Sequence, residues 1–404
     1  MEKTVTKKRD CVISGAGPAG MVLAYLLARK GIQVTVLEKH SDFFRDFRGD
    51  TIHPSTLAIL RQLGIIEEFL KLPITRLEKI TVNIQGQTFT MADFSSLPKP
   101  DAFIAIAPQW DFLDFLAQEA QKLPNFELLM GSEVQHVIKE KGRVVGIKAR
   151  TQEGDLEIRA ALTVAADGRK SRIRDCLACR PQEHGVPIDV LWFRIPQPAQ
   201  GIKGNLGFIS RHGLLITIDR KDYYQAGRII PKGHFEQIKN QGLEAFKKSI
   251  SATTNHLEPV LDSLTSWDQI KLLSVQINRL QHWYQPGCVF IGDAAHAMSP
   301  VFGVGVNYAI QDAVALANLL SPDFLQPGLL EEKLACFQTR REKPVKKMQA
   351  IQILVHGRLK HLAQPGKNRL GLTLLKLLLS ITAPYSKRKF ARFVGFGFLP
   401  ERVN

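Results

Sequence analysis

Residues 10–38, DCVISGAGPAGMVLAYLLARKGIQVTVLE, constrain the fold more strongly than any other stretch of the chain. A short apolar run over 11–14 precedes a helical pattern over 19–29. Gly31 then marks a helix end, and a β-branched run finishes at Glu38. This order predicts one βαβ unit at the start of an α/β domain.

The turn between the predicted strand and helix carries three glycines, Gly15, Gly17 and Gly20, spaced G-x-G-x-x-G. In such a turn the first glycine permits a tight bend, the second lets a pyrophosphate approach the backbone, and the third lets the helix pack on the strand. Glu38 follows 18 positions after Gly20, where a carboxylate can accept both hydroxyls of an unphosphorylated ribose. A glycine-rich turn without a ligand is the alternative, but the flanking strand, helix and acid favour a dinucleotide site.

Two later segments also end an apolar run in an acidic turn. Residues 286–312, PGCVFIGDAAHAMSPVFGVGVNYAIQD, predict a buried strand, the turn Gly292-Asp293, a glycine-spaced loop and a helix that opens near Val306. A helix start offers unpaired N–H groups and a partial positive charge, which suit an electron-rich ligand. The run ALTVAADGRKSRIR ends in the same way at Asp167-Gly168. One acidic turn is ordinary turn chemistry, but two of them indicate one long ligand lying across several strand ends.

A second region lacks glycine fingerprints. ITVNIQGQTFTMADF alternates with period two around Gly86, which indicates a hairpin, and apolar runs between 190 and 230 indicate a mostly antiparallel sheet. A helix is predicted over 234–251. Such a sheet suits the wall of a small-molecule pocket. Tyr224, Gln225 and Arg228 could present polar groups on this wall, and Tyr224 and Arg228 are the candidate substrate contacts, with solvent-facing positions as the alternative.

Composition limits the class of protein. With 404 residues, 45% of them hydrophobic and 23% charged, the chain is expected to be globular, and a net charge of +16 favours an anionic partner. Five scattered cysteines fit a reducing compartment, and we expect neither a signal peptide nor a membrane span. The apolar run 370–382, followed by basic residues up to Arg392, predicts either a packed C-terminal helix or contact with an anionic membrane.

Three motifs occur in a diagnostic order: GAGPAG with Glu38, then AADGRKS, then FIGDAAHAMSPVFGVGVNYAIQDA. Together they resemble the single-component flavoprotein monooxygenases typified by para-hydroxybenzoate hydroxylase, over nearly the whole chain. The resemblance implies noncovalent FAD, NADH or NADPH as a transient co-substrate, and O2. It also implies hydroxylation of a small, usually aromatic substrate through a flavin C4a-hydroperoxide.

The resemblance further implies which residues hold FAD, while it assigns no metal site and no catalytic acid or base. His296 and Pro300 are expected nearest the flavin. For the adenosine and pyrophosphate, the implied residues are Gly15, Gly17, Pro18, Ala19 and Gly20 at the pyrophosphate, Glu38 and Lys39 at the ribose, and Val134 at the adenine. For the ribityl chain and its surroundings, they are Arg48 and Gln109 near the pyrophosphate and ribityl chain, Gly292 and Asp293 at the ribityl or pyrophosphate region, and Asp167 and Gly168, which are shared with the nicotinamide nucleotide. Around the flavin they are Pro300, Gly303, Gly305, Val306 and Asn307.

These features predict an α/β fold: a Rossmann-like FAD-binding domain with a mixed sheet, an inserted, mostly antiparallel substrate domain, and a C-terminal helical tail. The predicted boundaries are 1–76, 105–180 and 272–355 for the first domain, 77–104 and 181–271 for the second, and 356–404 for the tail.

Other functions remain open at this point. A reductase or dehydrogenase acting on a lipid or prenyl chain would share the fold. A flavin halogenase is the weaker alternative, because WFRIP at 192–196 lacks the second tryptophan of the W-x-W-x-I-P element. A membrane-surface protein with structural FAD is a further alternative, and no nucleic-acid recognition module is visible. The expected location is cytoplasmic, with peripheral membrane contact through 370–392 as an option.

Overall fold

The computed structural model describes residues 5–44, 51–198, 206–220, 222–321, 323, 328–362 and 369–404. The strands of the first part of the chain are β1 (Val5–Ser14), β2 (Val34–Leu37), β3 (Thr51–Ile52), β4 (Thr75–Leu77), β5 (Lys79–Ile84), β6 (Gln87–Asp93), β7 (Ile104–Ile106), β8 (Phe126–Leu129), β9 (Glu133–Glu140), β10 (Arg143–Thr151) and β11 (Gly154–Ala165). The later strands are β12 (Gln182–His184), β13 (Ile188–Pro196), β14 (Leu206–Ser210), β15 (Gly213–Asp219), β16 (Tyr223–Pro231), β17 (Lys271–Leu273), β18 (Ile277–Arg279), β19 (Tyr284–Gln285), β20 (Cys288–Phe290) and β21 (His296–Ala297). The α-helices are α1 (Pro18–Arg29), α2 (Pro54–Gln62), α3 (Ile66–Phe69), α4 (Gln109–Gln121), α5 (Arg172–Cys176), α6 (Phe235–Asn240), α7 (Leu243–Ser251), α8 (Gly305–Leu319), α9 (Leu329–Leu362) and α10 (Arg369–Phe396).

An eight-stranded sheet carries the predicted βαβ unit, which is confirmed. Its order is β19-β20-β11-β1-β2-β8, with β10 and β9 attached to β11. Strand β1 runs parallel to β2 and β11, and β11 runs parallel to β20. The last residues of these four strands are aligned: Ser14 pairs with Leu37 and Ala165, and Ala165 pairs with Phe290. The turns that follow them therefore meet at one edge of the sheet.

A seven-stranded sheet, in the order β17-β13-β16-β15-β14-β5-β6, unites strands from both predicted insertions. The hairpin around Gly86 is confirmed as β5 and β6, and the strand pairs are antiparallel except for β14 with β5. The continuous helix predicted over 234–251 is wrong. It divides into α6 and α7 because Gly242 has a backbone φ of +93°, a left-handed conformation that ends a helix.

The tail is helical, and α10 extends beyond the predicted apolar run to Phe396. Its N-terminal half packs Leu375 and Leu379 against the β5–β6 hairpin, while Phe393 packs near the start of α8. After α10 the chain returns to α8, where Asn318 donates from Nδ2 to the Arg402 carbonyl. Within the described ranges, no helix has both the length and the apolarity that a membrane span requires.

Candidate active site

The first glycine turn has two crowded positions and one open one. Gly15 has a φ of +100°, and a methyl group there would lie 2.5 Å from the Ala166 carbonyl oxygen. At Gly20 a methyl would lie 2.0 Å from the Gly15 carbonyl oxygen. At Gly17 it would meet no atom within 4 Å. Gly15 and Gly20 are thus required by packing, and Gly17 leaves space at the start of α1.

Glu38 lies directly beside this turn. Its carboxylate accepts from the Ala16 backbone N–H at 3.1 Å and from the His40 backbone N–H at 3.2 Å. The Ser132 backbone N–H donates to the Glu38 carbonyl, which places the segment leading to Val134 next to the same strand end. Val134 itself is buried two residues further along, whereas Lys39 is exposed.

Asp167 starts the second turn and orders the helix after it. Its Oδ2 accepts from the Arg172 and Ile173 backbone N–H groups at 2.7 and 3.2 Å. Its Oδ1 is buried and has no hydrogen-bond partner among the described residues. Burial raises the pKa of Asp167 above its ordinary value. One carboxylate oxygen is thus structural, and the other is a buried acceptor without a partner among the described residues.

The third turn lies between the starts of two helices. Gly292 has a φ of +57°, and a methyl there would lie 3.1 Å from Ala309 Cβ in α8 and 3.3 Å from Ala19 Cβ in α1. Asp293 accepts from Arg169 Nε at 3.0 Å. Because Arg169 follows Asp167-Gly168, this ion pair joins two of the acidic turns. The sequence indicated both turns but not the pair, since its partners are 124 positions apart.

The glycine loop is fixed by Asn307 and by β3. Gly303 has a φ of +64°, and its carbonyl accepts from Thr51 Oγ1 at 2.9 Å. Asn307 donates from Nδ2 to the carbonyls of Thr51 and Gly303, and its Oδ1 accepts from His53 N and Thr56 Oγ1. Every polar position of this amide is occupied by protein. Asn307 therefore acts here as a scaffold for the loop, with its side chain committed to protein groups.

The remaining predicted positions differ in their surroundings. A methyl at Gly305, the first residue of α8, would meet no atom within 4 Å. Gln109 is half-buried at the start of α4, three residues after Ile106, which pairs with Thr51. The Pro300 carbonyl accepts from Gly303 N at 3.0 Å and closes a 3-10 turn. Arg48 lies outside the described residues.

His296 is enclosed by the core. Its ring lies 4.8 Å from the Trp283 ring, and its Nε2 lies 2.6 Å from Asp312 Oδ2. Asp312 in turn accepts from Arg341 Nε, and all three side chains are buried. These contacts give His296 a packing role rather than an open position beside the reacting atoms.

The two substrate candidates lie on the helix-covered face of the second sheet. Tyr224 packs in the cluster that includes Phe246 of α7, and Arg228 donates from Nη1 to Thr253 Oγ1 at 2.6 Å. Burial lowers the pKa of Arg228 to about 10. The placement of these two residues gives the substrate prediction no geometric support.

One residue on the opposite face of this sheet packs against the same apolar cluster as the residue before the glycine loop. Ile218 packs in a cluster with Phe302, which precedes Gly303. Gln225 pairs with Ile218 and shares its face, as does Trp192, which pairs with Gly227 two residues further along β16. Trp192 Nε1 is buried with no hydrogen-bond partner among the described residues. The sequence could not identify this face, because β16 is buried on both sides.

These features fit FAD. Space remains at Gly17 and Gly305, at the start of α1 and of α8, where anionic groups are stabilised. Glu38 stands where a ribose is expected, and Asp167 Oδ1 is a buried acceptor that needs a donor such as a hydroxyl.

Comparison with known proteins agrees with this fit. The family model described as "FAD binding domain" matches residues 8–344. The 6-methylpretetramide 4-monooxygenase of Streptomyces rimosus is 30% identical over 351 residues, which cover 85% of this chain and 83% of that protein. Squalene epoxidase 1 of Arabidopsis thaliana is 25% identical over 83% of this chain, which spans 64% of the plant protein.

A solved structure has the same fold. The p-nitrophenol 4-monooxygenase PnpA of Pseudomonas putida superposes with a TM-score of 0.76, at 16% identity and 97% coverage of both chains. The domain match covers most of the chain, and the bacterial relative is similar over most of both proteins. The chain therefore belongs to the FAD-dependent monooxygenases, the family that para-hydroxybenzoate hydroxylase typifies, and is an oxidoreductase with FAD as its cofactor.

Proposed function

We propose that this protein hydroxylates a small aromatic substrate, using NADH or NADPH and O2. When bound, FAD supplies the redox chemistry, receiving a hydride from the nicotinamide and providing activated oxygen to the substrate. The chain's own residues bind and orient both molecules and exclude water.

The observation that carries the proposal is the sheet face opposite the glycine loop. It is mainly apolar and packs through Ile218 near Phe302, as a wall for a planar substrate requires. Trp192 Nε1 on this face is a buried donor that lacks a partner among the described residues. We assign it a hydrogen bond to an oxygen of the substrate. Gln225, on the same face, replaces Tyr224 and Arg228 as the proposed polar contact.

Other residues would act on the cofactor. The start of α8 at Gly305 would stabilise negative charge on the reduced flavin through its partial positive charge. Asp293, oriented by Arg169, would accept hydroxyl hydrogens of the ribityl chain. Asp167 Oδ1 would accept from FAD or from the nicotinamide nucleotide. Each role concerns binding and charge, and no side chain is assigned a proton transfer.

The name of the Streptomyces relative, 6-methylpretetramide 4-monooxygenase, supports a monooxygenase reaction on a small organic substrate. The plant squalene epoxidase supports the alternative of a lipid or prenyl substrate. A product that contains an added oxygen atom distinguishes the aromatic and the lipid monooxygenase from a dehydrogenase. A product that contains an added halogen atom would identify a halogenase.

We further propose that α10 contacts an anionic membrane peripherally. Leu374, Leu377, Leu378, Ile381 and Tyr385 share one helix face, and each is more than half exposed. Arg388, Lys389 and Arg392 follow and are exposed, and the helix contains no acidic residue. An apolar face next to a basic run is suited to the surface of an anionic bilayer.

The enzymatic proposal is tested by screening phenols, quinone precursors and polyketide-like aromatics with the FAD-loaded protein. The expected result is that one class stimulates NADH or NADPH oxidation well above the rate without substrate, and that Trp192→Phe raises the KM for it. A screen in which only prenyl lipids stimulate oxidation would replace the aromatic proposal with the lipid alternative.

A further inference from the structure

We propose that His53 binds the flavin ring directly, with its Nε2 atom accepting a hydrogen bond from flavin N3–H. This inference rests on the proposed placement of the ring beside Gly303 and Asn307. His53 immediately precedes α2 and follows β3, and its side chain is 1% exposed.

The tautomer of His53 follows from its backbone contact. Its Nδ1 lies 2.8 Å from the carbonyl oxygen of Val394 in α10. A carbonyl can only accept, so Nδ1 carries the hydrogen. Burial lowers the pKa of His53 to about 4, against the opposing effect of that hydrogen bond, so the ring is neutral near pH 7. Nε2 consequently presents a lone pair.

No protein donor among the described residues meets that lone pair. Nε2 is buried and lacks a hydrogen-bond partner there. The nearby donors are already committed: Thr51 Oγ1 donates to Gly303 O, and Asn307 Nδ2 donates to Thr51 O and Gly303 O. A buried acceptor left without a donor destabilises the protein that contains it. A ligand that brings a donor would remove this cost.

The position of Nε2 is suited to such a ligand. A methyl group added at Gly303 would lie 3.5 Å from His53 Nε2, so the atom borders the glycine loop. The oxidised flavin ring offers oxygen and nitrogen acceptors at O2, O4, N1 and N5, and N3–H is its single donor. An acceptor at the ring edge therefore selects N3–H, and with it one orientation of the ring.

Two substitutions separate this role from a purely structural one. In His53→Gln the side chain can place an amide oxygen near the former Nε2, but the Nδ1–H donor to Val394 is lost. In His53→Asn the amide can still donate to the Val394 carbonyl, but it does not reach the position of Nε2. The acceptor role predicts that Gln retains FAD affinity and Asn loses it, whereas a structural role predicts the reverse.

The test uses the full chain in three forms, wild type, His53→Gln and His53→Asn. FAD dissociation constants are measured by flavin fluorescence, and apo-protein unfolding by circular dichroism. We expect His53→Asn to raise the dissociation constant about 5- to 30-fold, the equivalent of roughly 1–2 kcal/mol, and His53→Gln to change it much less. His53→Asn with wild-type affinity, or a loss confined to His53→Gln, would overturn the proposal.

A second measurement needs no variant. In protein labelled with 15N at histidine and loaded with 15N-labelled FAD, the Nε2 resonance should move on FAD binding, and N3–H should show a coupling to Nε2 across the hydrogen bond. An unchanged Nε2 resonance between the apo and FAD-loaded forms would also overturn the proposal. FAD that binds and turns over substrate while Nε2 is unchanged would leave the proposed function intact.

Discussion

Arg341 Nε donates to Asp312 Oδ1 over 2.9 Å, and both side chains are completely buried. The other oxygen, Oδ2, accepts from Gly292 N at 3.0 Å and lies 2.6 Å from His296 Nε2. Burial alone would raise the pKa of Asp312, but the charges and hydrogen bonds of His296 and Arg341 hold it below its ordinary value. A buried carboxylate thus connects α9 to the acidic turn, and Glu401 adds a second carboxylate 3.5 Å from Arg341.

Breaking this pair should destabilise the protein strongly. Arg341→Met leaves Asp312 buried with one partner fewer, and we expect the free energy of unfolding to fall by about 3–5 kcal/mol. Urea unfolding measures the loss. Lys71→Met is the matched control, because its ion pair with Glu68 is exposed and screened by solvent, so its loss should change stability little. Equal losses in the two variants would contradict a structural role for the buried pair.

Gly17 and Gly20 should respond differently to alanine. Gly17→Ala adds a methyl in open space at an extended backbone conformation, so stability should hold while FAD affinity falls roughly tenfold or more, the equivalent of about 1.4 kcal/mol. Gly20→Ala places its methyl 2.0 Å from a carbonyl oxygen and should destabilise the apo-protein itself. Thermal unfolding and FAD titration distinguish the two. Wild-type FAD affinity in Gly17→Ala would argue against pyrophosphate binding at this turn.

The apo-protein should lose stability in acid because of His53. Its pKa is lowered from 6.5 to about 4 in the fold, so the unfolded chain binds the proton first as pH falls. The free energy of unfolding therefore has its full value above pH 6.5. It falls progressively as the pH is lowered to about 4, by roughly 3 kcal/mol. Urea midpoints across this range measure the slope, and His53→Gln should flatten it. A slope unchanged by that substitution would show that His53 is not buried in its neutral form. His356, whose pKa burial also lowers to about 4, adds a separate contribution in both proteins.

The exposed face of α10 should bind anionic vesicles. The triple variant Leu374→Gln, Leu377→Gln, Leu378→Gln is expected to lose most co-sedimentation with vesicles containing about one third phosphatidylserine, because its apolar contact is removed. Point variants are preferable to truncation, since α10 also contacts His53 and Phe302.

Two exposed apolar residues outside this helix, Val5 and Leu272, provide the matched control when changed to Gln. That control should sediment like the wild type. Binding should also weaken with salt, because the basic run of α10 contributes about 1 kcal/mol per charge at an anionic surface. Equal binding by the triple variant and the wild type would remove the membrane proposal.

The local motifs could be predicted from the sequence because each is a short pattern with one physical solution. An example is the turn at Gly15, which follows directly on strand β1. Its backbone is crowded and has a positive φ, so that only glycine fits there. The buried contacts could not be predicted in the same way. His53, Asn307 and Val394 come together from distant parts of the chain, and no local periodicity marks any of them.

The second sheet shows a different limit. Alternation along β16 separates Tyr224 from Gln225, but both faces of the strand are buried, so the sequence does not show which face packs on the cluster that Phe302 shares. The prediction of one helix over 234–251 was wrong for a local reason. The left-handed backbone of Gly242 ends the first helix although the apolar pattern continues. The predicted domain boundaries stay a prediction.

Oxygen-isotope analysis of the product tests the central claim most directly. FAD-loaded protein, NADH or NADPH and a stimulating aromatic substrate are incubated under 18O2, and the product is analysed by mass spectrometry. Hydroxylation predicts a product heavier than the substrate by one 18O atom, with no label when 18O is supplied only in water. A product that has lost two hydrogens and gained no oxygen would contradict a monooxygenase and identify a dehydrogenase.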